Sequence, residues 1–88
     1  MTDKSNEAQR PEREGGLGQA VEQAVRAFME TLDGEDTTDF YNLVLKEVEE
    51  PLLRVVVEYC GGNQSRASEL LGLNRGTLRK KLRQHNLL

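Results

Sequence analysis

The sequence predicts an all-α chain of four helices, with a long, kinked second helix and a C-terminal helix-turn-helix. Three observations predict it. Apolar residues recur at three- and four-residue spacing through two long stretches. Two shorter stretches each open on an asparagine and are separated by Gly72. Five of the twelve Lys and Arg residues gather between Arg75 and Arg83, with no acid among them, in a chain of net charge -3.

The first helix is read from Leu17, Ala20, Val21, Ala24, Val25, Phe28 and Leu32, a stripe that stops before Asp33-Gly34. The second follows a cap at Thr37, Thr38 or Asp39 and carries Phe40, Leu43, Val44, Val48, Leu52, Val55, Val56 and Tyr59. Pro51 interrupts it, because proline has no N–H to offer the Glu47 carbonyl and its ring crowds the preceding turn. Yet Val44, Val48, Leu52 and Val56 keep one four-residue step across the proline, and no turn residues flank it. One kinked helix of about twenty residues, roughly 30 Å long, accounts for the pattern better than two short ones. Gly61-Gly62 ends it.

Asn63 then caps a short helix with Ala67, Leu70 and Leu71 on its inner face. Gly72 supplies the positive φ of a tight interhelical turn, and Leu73 plugs the corner. Asn74 caps a last helix from Arg75 to about Gln84, which buries Leu78 and Leu82. Two short capped helices around a glycine turn, the second one basic, form helix-turn-helix geometry.

Composition bounds what such a chain can do. Eighty-eight residues allow one small domain with little buried surface, and an aliphatic core with two Phe, two Tyr and no Trp makes oligomerisation the expected source of further burial. Cys60 is the only cysteine, which points to a reducing compartment and excludes a disulfide framework. No apolar run approaches the ~20 residues of a membrane span, and residues 1 to 16 contain no apolar signal core, so the expected location is the cytoplasm. Those sixteen residues are polar and read as a disordered arm. The chain thus divides into an arm over 1–16, two long helices over 17–60 expected to supply the oligomer contacts, and a basic helix-turn-helix region over 61–88.

Charge divides along the same line. Residues 1 to 62 hold six basic and fourteen acidic residues, whereas residues 63 to 88 hold six basic residues and only Glu69. An acidic body with a basic tip is expected to meet a polyanion through that tip. On a helical wheel at about 100° per residue, Leu78 and Leu82 share one side while Gly76, Lys80 and Arg83 share the other, with Arg79 and Lys81 on the flanks. Arg75 lies in the first turn, the end of a recognition helix that reaches deepest, where a guanidinium can pair with guanine O6 and N7. Gly76 removes bulk beside it. Asn63, Ser65 and Thr77 lie near helix N-termini, which favour anions. No phosphate-loop pattern accompanies the glycines, and one His with one Cys provides neither a metal set nor a catalytic constellation. His85 reads as a surface residue and Cys60 as a small apolar residue at a helix end. Neither an enzyme nor a cofactor-dependent protein is expected.

The run "EVEEPLLRVVVEYCGGNQSRASELLGLNRGTLRKKLRQHNLL", with "YNLVL" just before it, resembles the Fis family of bacterial nucleoid proteins over more than seventy residues from about Leu17. "GNQ", "RGTLRKKL" and the proline inside the long helix carry the resemblance. It implies an intertwined homodimer built on the first two helices, a helix-turn-helix over residues 64 to 83, and sharply bent duplex DNA. It implies base contacts by Asn74, Arg75 and Lys80, and phosphate contacts by Asn63, Ser65, Thr77, Arg79 and Lys81. Family members organise the nucleoid, activate ribosomal RNA promoters, contact RNA polymerase and assist site-specific recombination.

Two features depart from the pattern. Gly61 stands where family members commonly have a basic residue in the loop that meets flanking DNA and polymerase, and residues 1 to 16 lack the alternating β-branched pattern of an invertase-activating hairpin. The same module also closes enhancer-binding transcriptional activators, although a polar arm directly after Met1 reads as the start of a freestanding protein. Because both long stripes need a partner surface, the melting temperature should rise with protein concentration. Sedimentation that finds a stable folded monomer at micromolar concentration would contradict this.

Overall fold

The computed structural model describes residues 16–32 and 38–88, which contain four helices and no strand. These are α1 (Gly16–Leu32), α2 (Phe40–Tyr59), α3 (Gln64–Leu71) and α4 (Arg75–Gln84). Helix α1 falls in one compact unit and the other three helices in a second, Asp39–Leu88. The N-terminal arm, apart from Gly16, and the alternative cap Thr37 lie outside the described residues.

Helix α1 covers the predicted stripe and buries none of its residues within the chain. Its Glu22–Arg26 pair, 2.8 Å apart one turn along the helix, is exposed and worth a few tenths of a kcal/mol, roughly 0.3–0.5. A helix of this length is marginal in water on propensity alone. Its apolar stripe therefore has to be covered for it to persist.

Helix α2 is continuous through Pro51 for twenty residues, as the four-residue step across the proline predicted. Asp39 occupies the N-cap; its carboxylate bonds no backbone N–H of the helix and instead accepts from Asn42 Nδ2 at 2.9 Å. Arg54 reaches back over the proline turn to Glu50, 3.2 Å away. Of the lower part of the predicted stripe only Val56 packs against the core of this unit. Leu52 is 48% exposed, Val55 54% and Tyr59 77%, whereas Leu53, absent from that stripe, is 1% exposed. Leu53, Val57 and Cys60 form a second stripe at four- and three-residue spacing, turned toward α3 and α4. Helix α2 is apolar on two sides, and the unit covers one of them.

The core of Asp39–Leu88 consists of Leu53, Cys60, Ala67, Leu78 and Leu82, with Val56, Val57, Leu71, Leu73 and Leu87 packed around it. On α3, Ala67 and Leu71 face inward as expected, but Leu70 is a correction: it is 54% exposed and Ser68 is buried in its stead. At about 100° per residue Ser68 and Leu70 stand about equally far, roughly 80°, on opposite sides of the centre of Ala67 and Leu71, so the wheel does not rank them and the packing of the unit covers the Ser68 side. The Ser68 hydroxyl is satisfied by donating to the Ser65 carbonyl at 2.9 Å.

Each helix end in this unit is closed locally. Gly61 and Gly62 take φ +65° and +83°, which lets Gly62 N–H reach the Val57 carbonyl at 2.9 Å and releases the chain toward α3. Gly72 is left-handed at φ 74°, ψ 26°, and Leu73 N–H bonds the Ser68 carbonyl at 2.9 Å, which sets Leu73 against the core. At the end of α4 Asn86 takes φ 60° and Leu87 N–H bonds the Leu82 carbonyl at 2.8 Å, so Leu87 folds back onto the core as Leu73 does. Because so few side chains form this core, Leu53→Ala should remove about 2–5 kcal/mol of stability. Urea unfolding at fixed protein concentration measures it, and a loss below about 1 kcal/mol would show that Leu53 does not hold the helices together.

Candidate nucleic-acid interface

The interface is built on the turn that presents α4. Asn63 accepts from Arg66 N–H at 3.0 Å and so caps α3, leaving the Gln64 and Ser65 N–H groups open. Asn74 caps α4 twice, accepting from Gly76 N–H at 2.7 Å and Thr77 N–H at 3.3 Å. Both asparagines perform the capping role read from the sequence. Gly76 has a structural reason beyond leaving space near Arg75: a Cβ there would stand 3.2 Å from Asn74 Oδ1 and crowd the cap.

Leu78 and Leu82 are fully buried, which fixes the rotation of α4 about its axis and turns its other side to solvent. Thr77, Arg79, Lys80 and Arg83 are exposed on that outward side and its flanks, whereas Arg75, only about 60° round from Leu78, is exposed because it opens the helix; Asn74, Asn63 and Ser65 are exposed as well. Among the described residues Arg75, Lys80 and Arg83 have no acidic partner. Arg79 donates to Gln64 Oε1 at 3.2 Å, a neutral contact that ties the start of α3 to the middle of α4 and leaves the guanidinium charge uncompensated. The structure thus sets the predicted site residues at the N-terminal end and on the outward side and flanks of α4, and at the start of α3.

Lys81 differs from its neighbours. Its Nζ lies 2.8 Å from Glu49 Oε2, and the other oxygen of that carboxylate lies 2.8 Å from His85 Nε2. The expectation that His85 is a surface residue is corrected, since its side chain is 7% exposed. On the wheel His85 stands only about 20° from Leu78, so Leu78, Leu82 and His85 form one buried edge. Sequence reasoning missed Glu49 for a related reason. It heads the second stripe of α2, four residues before Leu53, and that stripe was legible only once Leu53, Val57 and Cys60 were separated from the more obvious one.

The Lys81 bond, followed by the His85 bond, holds the Glu49 carboxyl below the usual carboxylate range. Gly61 lies in the loop between α2 and α3 with open space around its α-carbon, but its left-handed backbone disfavours any side chain there. No group of three or more potential metal ligands occurs among the described residues, and no described helix is long and apolar enough to cross a membrane.

Two helices joined by a left-handed glycine, the second exposing unpaired cations along one side, define a helix-turn-helix module. The family model for bacterial regulatory proteins of the Fis family matches residues 44–85. A Fis-like DNA-binding protein of Pseudomonas aeruginosa is 56% identical over 79 residues, covering 89% of this chain and 76% of that protein. DNA-binding protein Fis of Actinobacillus succinogenes is 54% identical over 71 residues, 81% of this chain and 72% of the relative. Fis of Haemophilus influenzae is 51% identical over the same shares. The chain belongs to the Fis family.

A lowered Glu49 pKa makes the α2–α4 link pH-dependent. The carboxylate contributes stability above the ordinary glutamate value, and that contribution is lost as pH falls from there through the lowered folded-state value. Thermal melts across that acidic window should therefore converge for wild type and Glu49→Gln as pH drops. A gap that stays constant with pH would contradict the assignment.

Proposed function

We propose that this protein binds duplex DNA as a homodimer, lays α4 of each subunit in a major groove, and bends the DNA it binds. The observation that carries this reading is the strip of exposed cations on α4, Arg75, Arg79, Lys80 and Arg83, none paired with an acid among the described residues, in a chain whose family relatives are named as DNA-binding proteins. Four uncompensated charges facing solvent cost a folded protein self-repulsion; a phosphate backbone offsets it and releases counterions. Asn74, Arg75 and Lys80 are assigned to base edges, and Asn63, Ser65, Thr77, Arg79 and Lys81 to phosphates. The open N–H groups at the start of α3 support the Ser65 assignment.

The dimer rests on the apolar surface that the single chain leaves uncovered: Val48, Leu52, Val55 and Tyr59 on α2, and Leu17, Val21 and Met29 on α1. The protein acts by binding, without catalysis, as a nucleoid-associated transcriptional regulator in the bacterial cytoplasm. Ribosomal RNA promoters are the first targets to examine, with RNA polymerase as the candidate partner at the α2–α3 loop. Gly61 offers that contact no side chain, so any polymerase contact there is made by backbone and neighbouring residues.

Arg75→Ala tests the base-reading assignment. It should cost about 1–3 kcal/mol on a duplex selected for tight binding and flatten preference at one guanine per half-site, with a much smaller loss on random duplex. Equal losses on both duplexes in a gel-shift titration would refute it. Circularly permuted duplexes tested alongside report bending, and mobility independent of the position of the site would refute that part.

A further inference from the structure

Of the five cations on α4, Lys81 is the one with an acidic partner among the described residues. Its side chain is one-third exposed, on the flank of the strip that carries Arg79, Lys80 and Arg83, so its ammonium is screened by Glu49 without being shut away from solvent. Glu49 is held on its other oxygen by His85, whose ring is almost entirely buried. The three groups form a line from the inside outward: a buried imidazole anchors the carboxylate, and the carboxylate holds an ammonium at the edge of the DNA-facing side.

We infer that Glu49 is an affinity-setting residue that competes with DNA phosphate for Lys81. A partly exposed pair between a lysine and a carboxylate is weak enough for a phosphate of the duplex backbone to take the ammonium over. When that happens Glu49 keeps its bond to His85 and remains in place, ready to recapture Lys81 as the DNA leaves. Arg75, Arg79, Lys80 and Arg83 give up no ion pair with a described residue on meeting DNA, whereas Lys81 does. Its contact therefore adds less affinity than theirs, and it forms only where the DNA backbone comes close to the flank of α4. The inference rests on the DNA-binding reading above and extends it to a residue of the long helix whose carboxylate reaches the flank of the cation strip.

Titration of one duplex at several salt concentrations with the full-length chain provides the test, using Glu49→Gln, Lys81→Gln and the double variant, with Glu50→Gln as a control for loss of charge one residue away. Glutamine at 49 keeps an oxygen that can accept a hydrogen bond and removes the charge. Glu49→Gln should tighten binding about two- to fivefold per bound subunit, and more than Glu50→Gln does. In the Lys81→Gln background the Glu49→Gln change should fall to the size of the Glu50→Gln control, so that the two sites are coupled in a double-mutant cycle. Lys81→Gln alone should lower the slope of log affinity against log salt by about 0.9 per subunit. That last measurement leaves Glu49 intact, so it keeps the competition refutable even if Glu49→Gln fails to fold: without a Lys81–phosphate contact Glu49 has nothing to compete with. Weaker binding by folded Glu49→Gln, additive effects at 49 and 81, or an unchanged salt slope for Lys81→Gln would each overturn the competition. Failure of the wild-type chain to bind any duplex would instead overturn the DNA-binding reading itself.

Discussion

Leu53 of α2 meeting Leu78 and Leu82 of α4 over Ala67 of α3 is the contact on which the rest of Asp39–Leu88 depends. Three fully buried leucines and one alanine are a small core, and the alanine matters as much as the leucines. With no side chain beyond Cβ at position 67, α3 can sit close to both neighbours, and a larger residue there would have to displace one of them. The same contact orients the polar surface. Once Leu78 and Leu82 point inward, the helical repeat leaves Gly76, Lys80 and Arg83 no choice but solvent, so the interface is a by-product of how the core is filled.

Local chemistry supports that core at each chain reversal. Gly61, Gly72 and Asn86 are left-handed residues that close α2, α3 and α4, and in each case the N–H of the next residue returns to a carbonyl of the preceding helix. After Gly72 and Asn86 the next residue is a leucine folded onto the core. The backbone turn and the apolar plug are thus one device used twice. Asn63 and Asn74 perform the complementary task at the starts of α3 and α4, where their side chains replace carbonyls that a preceding turn would have supplied.

Electrostatics in this fold is arranged by contrast. The α4 cations that face outward lack acidic partners among the described residues, while the one that leans toward α2 is met by Glu49. Among the described residues the acidic groups therefore do not neutralise the basic tip wholesale; one carboxylate reaches it. The apolar residues follow a similar division, since α2 uses Leu53, Val57 and Cys60 within its own chain and leaves Leu52, Val55 and Tyr59 outside.

The sequence by itself determined the helices, their caps and the turn between α3 and α4. These depend on interactions between residues a few positions apart: periodicity, an asparagine before a first turn, a glycine where φ must be positive. It also determined Leu78 and Leu82 as buried and the cation strip as exposed, because a single short amphipathic helix has only one apolar side. Where a helix has two candidate sides, local pattern cannot rank them. Pattern passes over Leu53 on α2 and turns Leu70 inward on α3 for that reason, while His85, a polar residue just after the last turn of α4, gives the pattern no apolar signal. Only the tertiary structure decided those three positions, together with the meeting of Glu49 with Lys81 and His85, residues 32 and 36 positions away. Contacts at that separation are set by how helices cross, and helix crossing is settled by the packing of the whole core rather than by any stretch of chain that a sequence pattern can span.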